Sequence, residues 1–133
     1  MIENNILKDK SIAFAIRTVN CYKFLEKEKN EKVMSKQLLR CGTSIGANIH
    51  EGIYGQSVAD FVSKLSIALK EASETSYWLL ILHQTDFLSD DMYGSIKNDI
   101  DEIIKLLISA LKTTKKKWVG VYYLMVLSLL FII

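Results

Sequence analysis

Four long stretches of this sequence place apolar residues three or four positions apart, with short polar or charged breaks between them. Residues at that spacing share one face of a helix, so the pattern predicts four amphipathic helices. The first runs roughly from Asp9 to Lys29, with Ile12, Ile16 and Val19 as its apolar stripe and Phe24 and Leu25 one step round. The run EKEKNEK ends it in solvent, with Asn30 as stop or next N-cap. The second runs from about Glu31 to Tyr54 through Val33, Met34, Leu38, Cys41, Ile45, Ile49 and Ile53, with Gly52 and Gly55 expected to terminate it.

The third helix opens on SVAD, where Ser57 can cap and Asp60 can return the bond. Its seam is Phe61, Leu65, Ala68, Ala72, Leu79 and Leu82, and around YWLLILH it is apolar on almost every side. Such a segment belongs in the centre of a fold or in an oligomer contact. The fourth starts near Ser89, with Asp90 and Asp91 favourably placed against the helix dipole. Ile96, Ile100, Ile103, Leu107 and Ala110 form its stripe, widened by Ile104, Ile108 and Leu111. Its expected end is KTTKKK.

Turn-rich β architectures need proline and glycine, whereas these 133 residues hold no proline and six glycines. The expected fold is therefore all-α: an antiparallel up-down-up-down four-helix bundle over residues 1–117. Residues 118–133, WVGVYYLMVLSLLFII, carry no charge and follow three lysines. As a helix this tail is about 24 Å long, slightly short for a membrane span of about 20 residues. It reads as a tail anchor, as an appendage packed on the bundle or an oligomer surface, or as a non-native extension such as a frameshifted end.

Catalytic patterns do not fit. GTSIGANIHEG lacks the preceding strand and the lysine of a phosphate-binding loop. Glu51, Glu71 and Glu74 are carboxylates in the right neighbourhood for a di-metal bundle, but no Glu-x-x-His occurs, and His50 and Glu51 point in different directions. No nucleophile–base set can be assembled, so no enzyme activity, metal or cofactor is expected. Cys21 and Cys41 lack metal-type spacing and sit on apolar faces. The opening MIENNILKDK has no secretory apolar run, which makes reduced thiols in the cytoplasm the expectation.

QLLRCGTSIGANIHEG is the odd segment, with weak helix formers on or beside the face it must bury. Gly42 and Gly46 stack one turn apart and would let a neighbouring backbone approach closely. Ser44, Asn48 and Glu51 would then supply polar pairing, with Glu71 or Glu74 of the third helix as the expected partners and Trp78 in the same contact layer. Arg17, Lys23, Lys36 and Arg40 lie off the main stripes. Converging in space, or repeated around an oligomer, they could neutralise phosphates, although the net charge is only +2.

The sequence also resembles a known family. Gln-Leu-Leu-Arg, then Ser-Ile-Gly-Ala-Asn-Ile followed by Glu-Gly, then Ala-Leu-Lys-Glu-Ala with Glu-Thr and Tyr-Trp-Leu, are similar to proteins encoded in intervening sequences of bacterial 23S ribosomal RNA genes, also labelled S23 ribosomal protein. They are similar too to accessory proteins of diversity-generating retroelements. The resemblance covers roughly residues 8 to 115. It implies a four-helix bundle assembling into a ring-like homopentamer without catalytic activity. From the retroelement members it implies partners in RNA or DNA and in a reverse transcriptase, with Arg17, Lys36 and Arg40 as candidate contacts.

Overall fold

The computed structural model describes the backbone of residues 2–132 and the side chains of residues 6–132. Four helices follow in order: α1 (Ile2–Lys27), α2 (Met34–Ile53), α3 (Val58–Gln84) and α4 (Asp90–Ile132). Among the described residues each packs on two others, and the diagonal pairs α1/α3 and α2/α4 stay apart. This is an all-α four-helix bundle. Residue numbers rise along one helix as they fall along its neighbour: Lys10 meets Glu102 while Arg17 meets Asp99, and Arg40 meets Glu74 while Glu51 meets Lys64.

The turns stop the helices by different means. Asn30 (φ 51°) and Asp86 (φ 68°) take the left-handed conformation that Asn and Asp tolerate best among non-glycine residues. Ser57 caps α3 by accepting the Asp60 amide at 3.0 Å. The Asp60 carboxylate turns toward Gly55 rather than back to the cap. Gly52 lies inside α2 rather than ending it, and it is buried: a Cβ there would stand 3.0 Å from Leu65 Cδ1 and 3.1 Å from Lys64 Cβ.

The core follows the expected stripes in three helices. Leu38, Cys41, Ile45 and Ile49 of α2, Leu65, Ala68, Ala72, Leu79 and Leu82 of α3, and Ile96, Ile100, Ile103 and Leu107 of α4 are all buried. Val33 departs from the pattern; it precedes α2 and is 73% exposed.

α1 departs more deeply. Its buried face is Leu7, Ser11, Phe14, Thr18 and Leu25, whereas Ile12 (46%) and Ile16 (59%) point outward. The reason lies in α2. A Cβ on Gly42 would stand 2.6 Å from Thr18 Cγ2, and one on Gly46 would stand 3.3 Å from the Ser11 carbonyl oxygen. The close approach permitted by the two glycines therefore occurs toward α1, and at that separation only short side chains fit between the helices. The Ser11 and Thr18 hydroxyls donate within their own helix, to Lys8 O (2.8 Å) and Phe14 O (2.9 Å), so neither is left unsatisfied.

α4 does not end in KTTKKK. It continues unbroken to Ile132, and its side chains from Trp118 onward are largely exposed. Among the described residues no helix is long and apolar enough to cross a membrane.

Candidate nucleic-acid interface

The N-terminus of α2 organises the lysine-rich turn between α1 and α2, at the end of the bundle that also carries the exposed acids Glu28, Asp86, Asp90 and Asp91. Glu31 lies just before the helix and is buried. Its Oε1 accepts the amides of Val33 (3.1 Å) and Met34 (3.0 Å), and its Oε2 accepts that of Ser35 (2.7 Å). Ser35 Oγ donates back to Glu31 O at 2.8 Å. Burial pushes the Glu31 carboxyl up, but the three amides and the helix dipole favour the anion and leave it below the ordinary glutamate value.

This cap changes the charge of the turn. In the run EKEKNEK one of the acids is turned inward and its charge is spent on the helix end. Lys23, Lys27, Lys29, Lys32 and Lys36 remain exposed and unpaired among the described residues. Lys29 stands 6.0 Å above the Phe24 ring. Lys27, Lys29 and Lys32 were not singled out from sequence, where the run reads as a neutral solvated terminator. The available signal was the Glu-x-x-x-Ser spacing at Glu31 and Ser35, which lets one carboxylate reach the first turn's amides.

The four cations expected from sequence do not converge. Arg17 bridges α1 to α4, with Nη1 2.6 Å from Asp99 Oδ2 and Nη2 2.5 Å from Ser95 Oγ. Arg40 bridges α2 to α3 on the opposite side of the bundle, donating to Glu74 Oε1 (2.7 Å) and Oε2 (2.9 Å). Both arginines are tied to carboxylates, which leaves Lys23 and Lys36 as the free cations of the four.

The polar contact layer is also arranged differently from the expectation. Asn48 donates to Ser44 O within α2 (2.8 Å), and Glu51 pairs with Lys64 (3.0 Å). Glu71 and Glu74 instead face Arg40, with Glu71 Oε2 at 3.7 Å from its guanidinium. Trp78 Nε1 donates to Glu74 Oε1 at 3.4 Å, and the Trp78 ring packs edge-on to Tyr77. Partial burial pushes the Glu74 carboxyl up, and the bonds from Arg40 and Trp78 more than offset it, leaving it below its ordinary value. Asn48 does not reach α3 because its side-chain amide is bonded to Ser44 O one turn back in its own helix.

The thiols Cys21 and Cys41 are free. Burial raises the Cys21 thiol to about 11 against a smaller lowering by Arg17, so it is protonated at neutral pH. Among the described residues no group of three His, Cys, Asp or Glu side chains is placed to hold a metal ion.

A family model for the 23S rRNA-intervening sequence protein matches residues 3–109. The chain belongs to this family. A solved crystal structure is also similar: a protein with unknown function from the S23 ribosomal protein family of Bacteroides thetaiotaomicron VPI-5482. It is 59% identical, the match covers 83% of this chain and 98% of that one, and the TM-score is 0.82. No curated protein matches the chain. The intervening-sequence match takes in α1, α2, α3 and the bundle part of α4, and so includes both the glycine contact and the lysine-rich turn; the α4 extension lies beyond it.

Proposed function

We propose that this intervening-sequence protein is a non-enzymatic, self-associating bundle that binds structured RNA or DNA in the cytoplasm. The observation that carries the reading is the lysine-rich α1–α2 turn, in which Glu31 is withdrawn into the helix cap while Lys23, Lys27, Lys29, Lys32 and Lys36 stay exposed. Exposed, unpaired lysines release counterions when they meet phosphates, and that release is the main source of sequence-independent affinity. Self-association is supported by the outward Ile12 and Ile16 of α1, an apolar pair left 46% and 59% exposed on the surface of the bundle. A ring-like homopentamer would repeat the basic turn around its axis and multiply a modest local charge.

Gel shift of a structured RNA at low and moderate salt tests the reading. A shift at low salt that weakens steeply with added salt is expected, and the Lys23→Gln/Lys36→Gln variant should bind less and show a shallower salt dependence. No shift at low salt would sink it. Light scattering of the native chain and of Ile16→Glu tests the assembly, with a drop in mass expected for the variant. Should assembly persist without nucleic-acid affinity, the outward apolar residues favour a second reading, a scaffold that docks a protein such as a reverse transcriptase.

A further inference from the structure

We infer that the stretch of α4 from Lys115 to Ile132 is an anchor that seats in an anionic lipid bilayer. The helix leaves the bundle where Lys115, Trp118 and Val119 face Val58, Ala59 and Val62 of α3 across a shallow apolar groove. Past that point its side chains are exposed, apart from the half-buried Leu127. Tyr122, Tyr123, Leu124 and Met125 are consecutive, so together they go once round the helix, and each is 60–67% exposed. A second helix would cover one stripe of such a surface and leave the rest in water. A bilayer covers every side at once.

The order of residues along the axis matches the layers of a membrane surface. Lys112, Lys115, Lys116 and Lys117 come first, all exposed, where anionic headgroups would lie. Trp118, Tyr122 and Tyr123 follow, the residue types that favour the interface. From Leu124 to Ile132 the helix is apolar apart from Ser128, whose hydroxyl donates to Met125 O at 2.8 Å and so enters lipid already satisfied. That last stretch is about 14 Å long at about 1.5 Å per residue. A hydrocarbon core is about 30 Å thick, so these residues reach about half of its depth.

Flotation of the full chain with vesicles is the test. It should float with vesicles of phosphatidylcholine mixed with phosphatidylserine, less so with phosphatidylcholine alone, and less at high salt. Leu124→Glu/Leu130→Glu should stay at the bottom of the gradient with an unchanged melting curve. Lys115→Gln/Lys116→Gln/Lys117→Gln should lose the preference for the anionic vesicles. Absence of flotation, or flotation equal in the Leu124→Glu/Leu130→Glu variant, would overturn the proposal. So would a lipid-free assembly that this variant dissolves, which would make a second copy the occupant.

Discussion

Thr18 of α1 occupies the space that any side chain at Gly42 of α2 would need. Three atoms of the threonine, Cγ2, Oγ1 and Cβ, lie 2.6, 2.8 and 3.2 Å from the position of a Cβ on Gly42. The threonine cannot easily rotate away, because it is β-branched and its hydroxyl is bonded to Phe14 O. Gly42→Ala gains about 1 kcal/mol of helix propensity, yet overpacking of this kind costs about 1–3 kcal/mol. A net loss of stability is expected in urea unfolding. The loss should shrink in a Thr18→Ala background, with a coupling above about 0.5 kcal/mol in the double-mutant cycle. Additive effects would mean that the two residues do not share this space.

Gly94 makes the opposite case. It lies inside α4, and a Cβ there meets nothing within 4 Å. Gly94→Ala should therefore stabilise by about 0.5–1 kcal/mol, since the flexible unfolded chain loses freedom at no steric cost. The same urea titration reads it as a higher midpoint at constant slope.

The cap at Glu31 carries a pH dependence of definite sign. Its native pKa is lowered, so the native state binds the proton less readily than the unfolded chain does. The contribution is fully present above the ordinary value of 4.5 and drains away as pH falls through the lower native value. Glu31→Gln should cost about 1–3 kcal/mol at neutral pH, the usual range for a lost charged hydrogen-bonding group. The gap between variant and parent should narrow at acid pH. A gap that does not change from neutral to strongly acid pH would exclude the ionised cap.

Cys21 offers a chemical readout of packing. Burial holds its thiol near 11, so little thiolate exists at neutral pH. Alkylation of the folded protein should be more than about tenfold slower than that of a free thiol of ordinary pKa near 8.5. Urea should remove the difference. Fast labelling of the native chain at Cys21 would contradict the packing of its thiol against the core.

Much of the fold was legible because three of the helices bury what hydropathy says they should. Leu38, Ile45 and Ile49, or Ile96, Ile100 and Leu107, announce their face by their spacing alone. α1 misleads for a physical reason. Its inner face had to be narrow opposite Gly42 and Gly46, so it carries Ser11 and Thr18, while its isoleucines sit outside. Spacing within one helix cannot report a width imposed by another. The step pattern Leu7, Ser11, Phe14, Thr18, Cys21, Leu25 was present, but it emerges only when the two helices are read as a pair.

The candidate interface was less legible for a related reason. A basic residue is an unspent charge only if nothing inside the fold has claimed it, and Arg17 and Arg40 were claimed by Asp99 and Glu74. The inward turn of Glu31 did the reverse, withdrawing one of the three acids of EKEKNEK into the helix cap while Glu26 and Glu28 stay outside. The continuation of α4 past KTTKKK was hidden because lysines suit a helix end, yet no proline follows to enforce one.

With both arginines used to lash helices together, the outward cations of the α1–α2 turn are all lysines. A lysine head is a compact, strongly hydrated point charge on a swivelling stem, without the planar fork that reads a guanine edge or grips a phosphate in two places. A polyanion meeting this turn would be weighed rather than read. It would be held by how many phosphates come within reach and not by the order of its bases.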